Sequence, residues 1–190
     1  RRPLGVSAGN HALFAGAQNT INAYDENLTR TVPDVLALQG SAVAGASNDS
    51  YTLIGGGTDG VVTAYNEYLT RVIPTQLHVG RSDLSAARAG NYILFAGGTE
   101  DSGVSDIVDA YDLFLTRSIV QGLSAARQEM AAATLIDYAL FAGGRTQSGL
   151  DPASGTSTFS ADVDIYDSYL TRIQPEKGLG LPRSCFAAAV

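Results

Sequence analysis

Short hydrophobic runs recur along the chain, and each is bounded by glycine, asparagine, aspartate or proline. An aromatic and aliphatic run ending in small residues occurs four times, as HALFAGA, YTLIGGG, YILFAGG and YALFAGG. After a loop of variable length, each leads into an alternating run, in the segments INAYDENLTR, VTAYNEYLTR, VDAYDLFLTR and VDIYDSYLTR. Runs of this kind are typical of β-strands, and no helical period persists. The pattern predicts an all-β protein built from repeats.

Two further runs complete each repeat. An alanine-rich run, such as Ala131 to Leu135, precedes the aromatic run, and a segment after Leu-Thr-Arg closes on proline. Four strands per repeat are therefore predicted. A repeat of about 40 to 50 residues is typical of propellers and solenoids. Four-stranded units at this spacing favour blades arranged radially, because each small sheet then buries its faces against its neighbours.

The repeat resembles the kelch repeat. The shared features are an arginine before the first strand, as at Arg81 and Arg127, a tyrosine shortly before a Gly-Gly pair, and a Tyr-Asp step after an aliphatic residue. The chain departs from that pattern in having no tryptophan and only two residues between Tyr-Asp and the next leucine. This short-turn A-Y-D-x-x-L-T-R form is similar to repeat arrays in surface and phage-encoded proteins of Gram-positive bacteria.

The resemblance implies a kelch-like β-propeller with four four-stranded blades and the inner strand of a fifth. The whole chain, 1–190, is then a single propeller region, with blades at approximately 1–36, 37–77, 78–123 and 124–179 and the extra strand at 183–190. The first blade already has an inner strand, so the extra one does not close a ring. A segment of a larger ring is favoured. The alternatives are pairing of the last strand, Arg183 to Val190, with another copy, or displacement of the N-terminal strand.

The composition of the chain limits the partners and the location that are expected for it. The chain is 45% hydrophobic and 16% charged, with a formal net charge of −7 and one cysteine, Cys185. An acidic chain without a basic patch is not expected to bind nucleic acid. No apolar run approaches the roughly 20 residues that span a bilayer, so membrane insertion is not expected either. An extracellular, cell-surface or virion-borne protein is the expected setting.

The kelch resemblance places candidate ligand contacts on one face. In such a blade, the links between blades and the loops after Gly-Gly emerge on the same side, where family members bind partners. The residues expected there are Arg81, Asp83, Arg127, Glu129, Arg183, Glu100, Asp101 and Arg145. Arginines at this face bind carboxylates or sulfate through their planar donors. The alternative is an inner ring of arginines paired with acidic neighbours, with a purely structural role.

The second arginine set has a structural interpretation. Arg30, Arg71, Arg117 and Arg172 each follow an Asp or Asn by five residues, at Asp25, Asn66, Asp112 and Asp167. Asp and Asn at the start of a turn accept hydrogen bonds from nearby backbone N–H groups. The arginine is expected to lie over a sheet edge or to pair locally.

Residues for catalysis are few. His11 replaces a repeated tyrosine and is expected to pack, while His78 lies in a link between blades. No nucleophile elbow, phosphate loop or zinc spacing occurs, so no enzyme, metal or cofactor is expected. The predicted function is a non-enzymatic recognition module for a glycan or protein ligand. The alternatives are a structural spacer or self-assembly unit and, third, a polysaccharide-active enzyme using a loop carboxylate pair.

Overall fold

The computed structural model describes residues 4–15, 20–33, 43–147 and 158–185, and within these ranges it contains strands and turns but no helix. The strands form four antiparallel sheets of four strands each, together with one two-stranded hairpin. The predicted all-β class is confirmed. Four strands per repeat are also observed, and each sheet falls within one of the predicted repeats.

The strand bounds follow the repeated sequence segments. Sheet one contains β1 to β4, at Leu4–Ala8, His11–Ala15, Ile21–Tyr24 and Arg30–Thr31. Sheet two contains β5 to β8, at Ala44–Ser47, Thr52–Gly55, Val62–Tyr65 and Arg71–Val72. Sheet three contains β9, β10, β13 and β14, at Ser85–Ala89, Tyr92–Ala96, Val108–Tyr111 and Arg117–Val120. Its hairpin consists of β11 and β12, at Thr99–Glu100 and Gly103–Val104. Sheet four contains β15 to β18, at Ala131–Leu135, Tyr138–Ala142, Val163–Tyr166 and Arg172–Ile173.

Each sheet is a meander in which strands pair in chain order. The connection between the first two strands and the connection between the last two therefore lie at one end of the sheet, here called the turn end. The connection between the middle strands and the link to the next sheet lie at the opposite end, here called the loop end. Loops of variable length, including the hairpin of β11 and β12, belong to the loop end.

The first strands of the four sheets lie next to one another in chain order. Together they line one cavity of about 600 Å³, called here the central cavity. Its lining is mostly small side chains, with one arginine, at Gly5–Ser7, Gly45–Ser47, Ala86–Arg88 and Ala132–Thr134. Small side chains suit this position because four strands converge on a shared space. The alanine-rich first run of each repeat therefore has a packing explanation.

Consecutive sheets pack face to face. The face of a sheet toward the next sheet is its trailing face, and the face toward the preceding sheet is its leading face. Between sheets three and four, Leu94, Val108 and Ala110 of the trailing face pack against Phe141 and Tyr166 of the leading face. The same positions pack between sheets two and three, and between sheets one and two. Burial of these apolar faces is the main stabilising contribution that the repeats share.

The glycine pairs allow the backbones of adjacent sheets to approach closely. Gly97 has a φ of 63°, and a Cβ atom there would lie 2.2 Å from the backbone oxygen of Arg127. Gly98 has a φ of 103°, and a Cβ atom there would lie 2.6 Å from the oxygen of Ser82. Neither position accepts a side chain without backbone movement, as the sequence predicted for the Gly-Gly pair.

The Asp-x-x-Leu-Thr segments form the same tight turn in every sheet. In sheet three, Asp112 Oδ1 accepts hydrogen bonds from the backbone N–H groups of Phe114 and Thr116, at 2.9 and 2.8 Å. Leu115 has a left-handed φ of 62° and donates its N–H to the Asp112 carbonyl at 3.1 Å. Equivalent turns begin at Asp25, Asn66 and Asp167. The predicted capping role of these residues is confirmed.

Candidate functional site

Arg81 lies in the core of sheet three. Its side chain is fully buried, and Nη2 donates to Asp109 Oδ2 at 2.8 Å and to the Phe95 carbonyl at 3.4 Å. Asp109, which is also fully buried, accepts at Oδ1 from Arg117 Nη1 at 3.1 Å and from the backbone N–H of His78 at 3.0 Å. One carboxylate therefore joins two arginines and the link that precedes the sheet.

Sheet four repeats this arrangement. Arg127 is fully buried, forms an ion pair with Asp164, and donates from Nη1 to the carbonyls of Gly143 and Asp162 at 2.9 and 2.8 Å. The Nε of Arg172 lies 3.8 Å from the Oδ1 of Asp164. The carboxylate of Asp164 also accepts from the backbone N–H and the hydroxyl of Ser124, at 3.1 and 2.9 Å. Both assemblies pair a buried charge with an opposite charge and hydrogen bonds, although the Nε atoms of both arginines and Nη1 of Arg81 have no hydrogen-bond partner among the described residues.

These positions correct the prediction that Arg81 and Arg127 contact a ligand. Both guanidinium groups are enclosed between sheets, so neither presents its donors to a bound molecule. The alternative interpretation, a structural arginine paired with an acidic residue, describes their role. The acidic partners are Asp109 and Asp164, which lie on the third strands.

Two tyrosines extend the buried assemblies. The hydroxyl of Tyr111 donates to the carbonyl of Thr75 at 2.8 Å, and the hydroxyl of Tyr166 donates to the carbonyl of Gln121 at 2.9 Å. Burial raises the pKa of both phenols well above the ordinary value, and the nearby carboxylates of Asp109 and Asp164 raise it further. Each hydroxyl therefore stays protonated, and its hydrogen bond holds the link before its sheet in place.

The same arginines connect adjacent sheets through their backbone. The Gly57 N–H donates to the Arg81 carbonyl at 2.8 Å, and the Gly98 N–H donates to the Arg127 carbonyl at 2.9 Å. The third member of the set, Arg183, accepts in the same way from the Gly144 N–H at 2.8 Å. Its side chain differs from those of Arg81 and Arg127 because it is exposed, and its Nε donates to the Leu181 carbonyl at 3.2 Å.

Asp83 and Glu129 lie at the loop end, two residues before the first strands of sheets three and four. Both have a left-handed φ, of 54° and 55°, and so does Cys185 at 56°. The Glu129 N–H donates to the Asp83 carbonyl at 2.9 Å, and the Cys185 N–H donates to the Glu129 carbonyl at 3.2 Å. This line of hydrogen bonds fixes the three residues side by side at the rim of the loop end.

Glu129 and Arg145 form a charged pair on this rim. The Arg145 Nη1 lies 3.7 Å from Glu129 Oε2, which also accepts from the Cys185 thiol at 2.9 Å. The hairpin of β11 and β12 is joined to the link before sheet three, because Ser82 and Thr99 each donate a backbone N–H to the carbonyl of the other. Next along the hairpin, Glu100 is half-buried and Asp101 is exposed at the tip. The structure therefore gathers Asp83, Glu129, Arg145, Glu100 and Asp101 at one end, named here the rim cluster.

The sequence pattern did not predict that Asp109 and Asp164 pair with the buried arginines. A signal was present, because repeats three and four have both the arginine and an aspartate in the V-D-x-Y run. Repeat two has glycine at the arginine position and Thr63 at the aspartate position. Because repeat two lacks both the arginine and the aspartate, the two residues are expected to interact with each other in the repeats that have them. The Thr63 hydroxyl is buried and has no hydrogen-bond partner among the described residues.

Several predicted features lie wholly or partly outside the described residues. These are most of the fourth loop, at 148–157, the first loop at 16–19, and residues 186–190 of the extra strand. Of the fourth loop, Arg145 pairs through its backbone with Gln128, and Phe159 is 46% exposed.

Within the described part of the chain, no group of three or more His, Cys, Asp or Glu side chains is arranged to hold a metal ion. No helix in that part is long and apolar enough to cross a membrane.

Comparison with known proteins supports the fold alone. A solved structure of YjhT matches with a TM-score of 0.71 at 10% sequence identity. The match covers 97% of this chain and 72% of the YjhT chain, so more than a quarter of that chain has no counterpart here. No protein-family model matches the sequence. The search of curated proteins likewise finds no match.

Proposed function

We propose that this chain is a non-enzymatic recognition module that binds a glycan or protein ligand through its loop end. The observation that carries the proposal is the rim cluster, in which charged residues from two consecutive links and two variable loops lie at one end of the sheets, with Glu129 and Arg145 within 3.7 Å of each other. Variable loops positioned by a firmly packed scaffold are where binding surfaces usually lie.

The sheets beneath the rim supply a fixed platform. Buried ion pairs anchor the links before sheets three and four, and the Gly-Gly pairs hold adjacent sheets at close range. The scaffold we propose is a kelch-like propeller, in which these four sheets are blades of a larger ring. The shared cavity of the first strands and their contact in chain order support that architecture.

The rim cluster favours a ligand rich in hydrogen-bond donors. With Arg81 and Arg127 buried, the accessible charged groups of the cluster are mainly carboxylates, at Asp83, Glu100 and Asp101. Carboxylates accept hydrogen bonds from sugar hydroxyls and from cationic groups of proteins. Arg183 is exposed at the same end, so an anionic group of a ligand meets one arginine there rather than the three that the sequence predicted. A bacterial cell-surface or phage-associated setting remains our proposal for the whole protein.

Neutralisation of the hairpin tip tests this function. We expect Glu100→Gln with Asp101→Asn to abolish retention on a glycan array or on Gram-positive cell-wall preparations, and to leave the melting temperature unchanged. Glu67→Gln is the matched control, because Glu67 is an exposed carboxylate in a turn at the opposite end. Protease treatment of the cell walls separates a protein ligand from a glycan. Failure of the unmodified chain to bind either panel, or full binding by the hairpin variant, contradicts the proposal.

A further inference from the structure

Three large aromatic side chains are exposed at the turn end. Tyr68, Phe114 and Tyr169 occupy the same position in the turns between the third and fourth strands of sheets two, three and four. They are 77%, 88% and 87% exposed, whereas the tyrosine three residues earlier in each repeat is fully buried. A single exposed aromatic group is ordinary, but its recurrence at one turn position in consecutive repeats indicates an interaction surface. These three residues are named here the turn-end aromatics.

Neighbouring sheets do not cover this position. Sheets two and three each pack against another sheet on both faces, and Tyr68 and Phe114 are exposed there all the same. Tyr169 in sheet four has nearly the same exposure as Phe114 in sheet three. The exposure of the turn-end aromatics is therefore a property of the turn itself, and these side chains are accessible from solvent whichever sheets lie beside them.

One hydrogen bond fixes all three turn-end aromatics in the same way. The backbone N–H of each donates to the Oδ1 of the residue two positions earlier, and these pairs are Tyr68 with Asn66 at 3.0 Å, Phe114 with Asp112 at 2.9 Å and Tyr169 with Asp167 at 2.9 Å. Each aromatic group therefore leaves its turn from an equivalent backbone position, directly beside a carboxylate or an amide.

The accessible charge at the turn end is negative. Its turns contain several aspartate and glutamate residues and neither lysine nor arginine. Asp112 and Asp167 use Oδ1 for the turn, while their Oδ2 atoms accept no hydrogen bond from any described residue. The arginines that begin the fourth strands are engaged elsewhere, because Arg117 donates to a buried carboxylate at 3.1 Å and Arg172 to a carbonyl of the preceding link at 2.7 Å.

We propose that the turn-end aromatics bind a basic segment of a partner protein, whose lysine or arginine side chains lie over the aromatic faces. An aromatic face attracts a nearby cation, and the carboxylates of Asp112 and Asp167 add charge-assisted hydrogen bonds. The negative charge of this end, with a net charge of −7 for the chain, opposes an anionic lipid surface or a nucleic acid as the occupant. The rim cluster lies at the opposite end of the sheets, so binding at the two surfaces is independent.

The four repeats differ in how complete this site is. Sheets three and four have both the aromatic group and the aspartate, whereas sheet two has Tyr68 beside Asn66. Sheet one has Asp25 but Asn27 at the aromatic position, and the Asn27 N–H donates to Asp25 Oδ1 at 3.0 Å as in the other turns. Phe114 and Tyr169 therefore belong to the strongest sites. A partner with several basic side chains contacts more than one sheet and gains affinity from multivalency.

Fluorescence anisotropy with labelled oligolysine as the probe tests this site, and oligoglutamate of the same length is the control peptide. Phe114→Ala with Tyr169→Ala is expected to weaken oligolysine binding about tenfold or more. The melting temperature is expected to stay unchanged, because both side chains are almost fully exposed. The double variant keeps the net charge, so a general attraction of the acidic chain for oligolysine is not altered. Ile119→Ala is the control variant, because Ile119 is 51% exposed on the fourth strand of sheet three, outside the turns.

A gain of binding gives the decisive result. Asn27→Tyr completes the site of sheet one without a change of charge, and it is expected to tighten oligolysine binding. Absence of oligolysine binding, or equal binding by the unmodified chain and the double aromatic variant, overturns the proposal. So does loss of binding in Glu100→Gln with Asp101→Asn alone, because the cations then bind at the rim cluster. Retention of neutral glycans that depends on Phe114 and Tyr169, without oligolysine binding, replaces the basic segment with a glycan and also overturns it.

Discussion

At the scale of single residues, the most informative groups are the aspartates inside the alternating runs. Asp109 and Asp164 neutralise arginines that the repeat pattern marks as functional, and they do so from the centre of a sheet. The spacing of the repeats locates the arginines, but it does not distinguish a side chain at the rim from one folded back into the core. That distinction depends on a partner 28 residues along the chain for Arg81 and 37 for Arg127.

The buried pair gives a stability prediction. Asp109→Asn leaves Arg81 buried without its counter-charge, and we expect it to lower the free energy of unfolding by about 3 kcal/mol or more. The double variant Arg81→Met with Asp109→Asn is expected to lose less than the sum of the two single changes, because neither charge is then uncompensated. Urea denaturation of the four chains in the cycle measures this coupling.

An exposed ion pair in the same protein supplies the control. Arg88 and Asp49 form an ion pair at 2.7 Å, but the Asp49 side chain is 80% exposed. Because solvent screens such a pair, Asp49→Asn is expected to change stability by less than about 1 kcal/mol. If Asp109→Asn and Asp49→Asn have equal effects, the buried assemblies contribute no special stability, and the structural role given to the buried Arg81 must be reconsidered.

At the scale of elements, the repeated sequence contains most of what forms a sheet. Boundaries such as Ala131–Leu135 and the caps at Asp25, Asn66, Asp112 and Asp167 follow from residue type and spacing alone. The left-handed leucine of each turn does not follow, because leucine rarely adopts that conformation. It is tolerated in Leu69, Leu115 and Leu170 because packing between sheets compensates the strain.

Leu28 lacks that compensation because it is 80% exposed, which makes it a test of the turn. Asparagine adopts a left-handed φ readily, so Leu28→Asn is expected to raise the free energy of unfolding by up to about 1 kcal/mol at low protein concentration. Leu115→Asn relieves the same strain but removes an apolar contact, and a net loss of about 1 to 2 kcal/mol is expected. Thermal or urea unfolding compares the two. If both substitutions change the free energy of unfolding in the same direction, packing does not explain why leucine occupies this position.

At the scale of the whole molecule, stability is expected to vary from sheet to sheet. In repeat arrays each unit contacts only its neighbours, so an end unit has fewer stabilising contacts than an internal one. Sheet one has an exposed leading face, and Asn22 stands where sheets three and four have a buried aspartate. Sheets two and three are covered on both faces, and their middle strands are almost entirely buried.

Native-state hydrogen exchange measures this gradient directly. We expect amide protons of β2 and β3 in sheet one to exchange through local opening at lower free energy than those of β10 and β13 in sheet three. Equal protection in sheets one and three at low concentration contradicts the gradient and indicates a single cooperative unit.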